Sequence, residues 1–95
     1  MKTFLWVEDE YELIAVNAET LEQAIELGKA EVEAAFKIEL AIKIEFYKER
    51  KDVGFQPPAL EKYCREAADH RLRQFTGEPV VLEIGQAKII YHANE

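Results

Sequence analysis

The sequence predicts a small two-layer α+β fold, an α/β arrangement in which a mixed sheet of four to five strands carries two helices in the order β-β-α-β-α-β-β. Three observations lead there. Two segments repeat apolar residues at helical spacing and begin at a capping or turn residue. Several short runs rich in β-branched and aromatic residues read as strands. The 95 residues are 48% hydrophobic and 33% charged, with four Gly and three Pro, which is the balance of a folded globule and not of a disordered tail. Residues 1–95 are read as a single compact domain, for which length scaling gives a radius of gyration of about 12 Å.

The first element is a hairpin. Phe4-Leu5-Trp6-Val7 and Tyr11-Glu12-Leu13-Ile14-Ala15-Val16 flank an acidic Asp9-Glu10 turn. That turn lacks the Gly or Asn favoured in two-residue loops, so one long bent strand is the alternative. In the hairpin register, Phe4, Trp6, Leu13 and Ala15 share one face and Leu5, Val7, Ile14 and Val16 the other. Both faces are apolar, and one of them is expected to be in surplus.

Thr20 followed by Gln23 is a capping-box arrangement and predicts a helix start. Leu21, Ala24, Ile25, Gly28, Val32 and Ala35 then fall on one face, with Glu22, Glu26 and Glu33 as an outward ridge. From Phe36 the period changes: Phe36, Ile38, Leu40, Ile42, Ile44 and Phe46 occupy every second position. This alternation predicts a strand over 36–47, although Glu33/Lys37 and Glu39/Lys43 are good helical (i, i+4) pairs.

Residues 48–58 contain Gly54, Pro57 and Pro58 without periodicity and read as a loop. Pro58 suits the first turn of a second helix, on which Leu60, Tyr63, Cys64, Ala67, Arg71 and Phe75 share a side and which Gly77 ends. The last two strands, 79–84 and 87–92, flank Gly85-Gln86, and a type II′ turn there pairs Ile84 with Ala87, Leu82 with Ile89 and Val80 with Tyr91. In that register Val81 and Ile90 lie on the outer side.

Formal net charge is −7, with 12 acids against 6 bases in residues 1–50 and 7 against 6 in residues 51–95. Acidity concentrated in one half disfavours direct binding to nucleic-acid phosphates and favours a protein partner with a basic surface. The four-residue apolar run at the N-terminus is too short for a signal or membrane-spanning segment, and the lone Cys64 forms no internal disulfide, so a cytoplasmic location is expected.

Chemistry-bearing motifs are absent. The four glycines are scattered, and no GxSxG, HExxH or CxxC occurs. Glu66 and His70 lie one helical turn apart but lack a third ligand, so no metal or cofactor is expected. Cys64 reads as a small buried hydrophobe. Arg71 lies on the apolar side of its helix and must either reach water or meet a carboxylate.

The expected function is that of a non-catalytic binding protein that occupies a surface of a macromolecular partner, with self-association as a homodimer in view. The partner-binding candidates are Leu5, Val7, Ile14 and Val16 of the hairpin, the ridge of Glu22, Glu26 and Glu33, and Phe55 in the 48–58 loop, which either contacts a partner or plugs the core. Two alternatives stand. One is an acidic phage-type inhibitor whose ridge mimics nucleic acid in a basic groove. The other is a small enzyme with a pocket that gathers Arg71, Glu66 and His70.

Overall fold

A computed structural model describes residues 1–7 and 12–88. Its elements are β1 (Lys2–Val7), β2 (Leu13–Ala18), helix α1 (Leu21–Phe46), helix α2 (Pro57–Arg73) and β3 (Val80–Glu83), with single 3-10 turns at Val53–Phe55 and Gln74–Thr76. The coarse α+β class matches expectation. The sheet does not: among the described residues it has three strands in the order β2-β1-β3, and both pairings are antiparallel.

The difference lies in residues 36–46, which continue α1 as helix. Thr20 caps this helix by accepting from the Gln23 amide at 3.2 Å, while the Gln23 side chain accepts from the Glu19 amide at 2.8 Å. Nothing between there and Phe46 breaks it, and the segment is made of Ala, Glu, Leu, Ile and Lys with a single Phe at each end. Propagation of an established helix needs only one more hydrogen bond per residue fixed, whereas a new strand would need a partner. The alternation is resolved by splitting. Phe36, Leu40 and Ile44 form one half-buried (i, i+4) stripe, and Ile38, Ile42 and Phe46 form another on the far side of the cylinder.

The hairpin is present, but its register is shifted by one residue from the expected one. Phe4 faces Val16, Trp6 faces Ile14 and Lys2 faces Ala18. A two-residue turn at Asp9-Glu10 would join residues of opposite parity, whereas Val7 pairs with Leu13 across five intervening residues. A one-residue slip moves every side chain of a strand to the other face. The observed register puts both large aromatics, Ile14 and Val16 together against the helices, and leaves Leu5, Val7, Leu13 and Ala15 outside.

β3 pairs Val81 with Phe4 and Val80 with Leu5. Val81 therefore packs on the core and Val80 and Leu82 lie outside, the reverse of the expected assignment. The turn that follows is centred on Ile84-Gly85, not Gly85-Gln86: Gln86 N–H donates to the Glu83 carbonyl at 3.0 Å, and Gly85 has φ 86°, which glycine alone adopts cheaply. The expected partners Ile89, Ile90 and Tyr91 lie outside the described residues.

Both helices pack on one face of the sheet. The core comprises Phe4, Trp6, Ala18, Ala24, Val32, Ala68 and Phe75, flanked by Ile14, Val16, Ile25, Phe36, Leu72 and Val81. Trp6 anchors it: its ring meets Phe75 edge-on at 4.9 Å, and its indole N–H donates to the Gly77 carbonyl at 3.2 Å. The small residues Ala24, Gly28 and Ala68 let the layers approach. α1 and α2 run in opposite directions, since Gly28 lies against Phe75 while Lys43 lies over the Tyr63 ring.

Six-residue strands span ~20 Å and 26 helical residues ~39 Å, so α1 overruns the sheet. The radius of gyration is accordingly 16.3 Å, with extents of 52 × 32 × 21 Å.

Candidate binding surfaces

The outer face of the sheet carries Leu5 and Val7 from β1, Leu13 and Ala15 from β2, and Val80 and Leu82 from β3, placed there by strand parity. None belongs to the core cluster. The residues of the central strand are half-buried by their own sheet neighbours, and Leu13 at the edge is 52% exposed. At one end the face turns polar, where the Thr3 hydroxyl donates to the Asn17 side-chain carbonyl at 2.6 Å. Of the hairpin residues expected to bind a partner, Leu5 and Val7 lie on this face. Ile14 and Val16 do not, because the register shift packs them against the core.

The acidic ridge is divided. Glu22 and Glu26 are exposed, but Glu33 is held by both terminal nitrogens of Arg65, at 2.9 and 3.1 Å. Arg65 also reaches Asp69 at 3.2 Å and lies over the Phe36 ring at 4.5 Å. This bidentate bridge joins α1 to α2 and holds the Glu33 carboxyl below its ordinary range. A lowered folded-state value means the bridge stabilises the fold above the unfolded-state value and is lost as pH falls through the folded one. Glu33→Gln should therefore lower the melting temperature slightly at neutral pH, and the two curves should converge as acid below the ordinary carboxylate range protonates the wild-type carboxyl. A difference that persists unchanged in acid would show that the loss is not one of charge.

Arg71 meets carboxylates rather than reaching past the helix end. Its Nε donates to Glu12, just before β2, at 2.6 Å, and one terminal nitrogen donates to Glu39 of α1 at 3.0 Å. Burial opposes the guanidinium charge, but the hydrogen bonds to Glu39 and Glu12 outweigh it and raise its pKa. The three side chains close one end of a groove between β2 and α1 that is floored by Gly28, Val32 and Ala35 and edged by Glu31. Glu66 and His70 sit on α2 and do not line this groove. This groove thus holds Arg71 without Glu66 or His70.

Phe55 folds back, its ring 4.6 Å from Tyr47 and under the Arg50 guanidinium at 4.5 Å. It closes the inter-helix turn with a half-buried ring that lies outside the core cluster. Cys64 is 1% exposed, as expected of a buried hydrophobe. Among the described residues no group of three or more His, Cys, Asp or Glu side chains is placed to hold a metal ion, and no helix is long and apolar enough to cross a membrane.

One surface was missed in the sequence. Ile38, Ile42 and Phe46 are 61%, 61% and 76% exposed on the overhanging half of α1. Their signal was present in the apolar alternation, but it was absorbed by the strand reading. Comparison with protein-family models, with curated proteins and with solved structures found no match.

Proposed function

We propose that this is a non-catalytic binding protein that works by laying the outer face of its sheet against a protein partner. The observation that carries the reading is that six of the eight strand positions on that face, Leu5, Val7, Leu13, Ala15, Val80 and Leu82, are apolar, the polar Thr3 and Asn17 lying together at one end, while both helices are spent on the other face. Antiparallel sheets with one solvated face ordinarily show polar residues there. Full burial of a Leu or Val side chain is worth about 1.5–3 kcal/mol, and roughly half of that remains available at half-buried positions. Summed over five large residues, this is comparable to the ~4–15 kcal/mol cost of association. The groove at Arg71 supports the same reading, since the guanidinium there is already neutralised by Glu12 and Glu39.

Affinity capture from cell extract with the wild type and with Leu5→Glu and Leu13→Glu variants tests the proposal. Proteins retained by the wild type should be lost from both variants, whose melting temperatures should stay close to that of the parent. Sedimentation at micromolar concentration separates a different partner from a second copy. Capture of the same proteins by all three chains would remove the sheet face from the interface.

A further inference from the structure

The overhang of α1 presents a second surface, and its chemistry is specific enough to name an occupant. At ~100° per residue, the direction in which Ala24 and Gly28 pack on the sheet is the direction in which Ile38, Ile42 and Phe46 point further along the helix. The same face that docks on the sheet therefore continues beyond it as an exposed apolar stripe. Within ~80° of the stripe's midline, every polar residue of α1 from 31 to 46 is acidic: Glu31 near the midline, Glu39 on one rim and Glu45 on the other. The lysines at 37 and 43 lie outside that arc, and Lys43 is turned toward Tyr63.

Towards the sheet, the stripe runs into the groove edged by Glu31, Glu39 and Glu12. Among the described residues two cations touch this acidic set: Arg71 lies between Glu12 and Glu39, and Lys48 meets Glu45 at 2.8 Å. Four carboxylates against two cations leave the surface negative. The Lys48 pair is exposed, and such pairs contribute little, so a partner's cation can share or replace it.

We propose that this stripe receives a basic amphipathic helix of a protein partner, its apolar side on Ile38, Ile42 and Phe46 and its lysines or arginines on the flanking glutamates. Apolar residues at i, i+4 and i+8 on a rigid helix form the ridge on which another helix packs. A second copy of this chain is a poor occupant. Glutamate lies on both rims of the stripe, so pairing two copies in either orientation sets an acidic rim beside an acidic rim. The inference rests on the reading of the molecule as a binding protein, but on a surface separate from the sheet face.

Two synthetic 18-residue helices with the same leucine stripe, one flanked by lysines and the other by glutamates, provide the probe. The lysine peptide should bind at least about tenfold more tightly than the glutamate peptide, and its affinity should fall as salt rises. Ile42→Asp, at an exposed position, should weaken that binding by at least about tenfold with an unchanged circular dichroism spectrum. Leu5→Glu should leave it unaltered, so failure at the sheet face and failure at the stripe are read separately. Equal binding of the two peptides, indifference to Ile42→Asp, or a wild-type dimer that Ile42→Asp dissociates would overturn the proposal.

Discussion

Replacing Phe75 with Ala is expected to lower folding stability by about 3–5 kcal/mol. That is a large part of the roughly 5–15 kcal/mol a small domain has. The ring is 6% exposed, touches Trp6 edge-on and fills the space above Gly28, so its removal opens a cavity where sheet and both helices meet. Gly28 gives the converse test. A methyl group there would sit 2.5 Å from Cζ of Phe75 and would also press on Cε1. Alanine gains about 1 kcal/mol of helix propensity, but overpacking a fixed core costs about 1–3 kcal/mol. Gly28→Ala should therefore destabilise the wild type and become neutral or favourable in a Phe75→Leu background. Denaturant unfolding of the four chains measures the coupling, and additive effects would show that the ring moves aside freely.

Arg71→Met carries the second large effect. The substitution leaves the carboxylates of Glu12 and Glu39 without the cation that both of them contact. Breaking a fully buried ion pair costs ~3–5 kcal/mol, but these side chains are 23–37% exposed, and solvent screening reduces the expectation to about 1–2 kcal/mol. Glu12→Gln with Glu39→Gln should relieve the deficit. Thermal unfolding of the single and combined variants decides this. A loss that persists in the combined variant would assign the role of Arg71 to the packing of its aliphatic stem.

Where local chemistry decides structure, the sequence was legible. The Thr20 and Gln23 cap, the proline-started second helix and the first hairpin all follow from side-chain hydrogen bonding and backbone restriction within a few residues. What failed needed information from across the molecule. Six apolar residues at alternate positions from 36 to 46 fit a strand with one buried face, and they fit a helix only if two opposite sides are apolar. Nothing local states that α2 covers one of those sides. The hairpin register failed for a similar reason: both parities are apolar, so only the fit of Phe4 and Trp6, together with Ile14, Val16 and Ala18, against the helices selects one. Arg71 announced its need for a counter-charge, but its partners lie 59 and 32 residues away in the chain. Leu5 and Val7 were legible as surface candidates, whereas the exposed stripe on α1 was hidden by the misread period.

The position of Trp6 has an optical consequence. It is the only tryptophan in the chain, and its ring lies between Phe4 and Phe75 with its N–H on Gly77, at the end of the molecule where sheet and helices meet. Tryptophan fluorescence therefore watches that junction alone. The helical overhang, with Tyr47 and Tyr63 as its nearest chromophores, contributes to far-ultraviolet dichroism while remaining dark to the indole. A single spectroscopic trace would thus describe half of the molecule, and comparing the two signals turns a 95-residue chain into its own spatially resolved reporter.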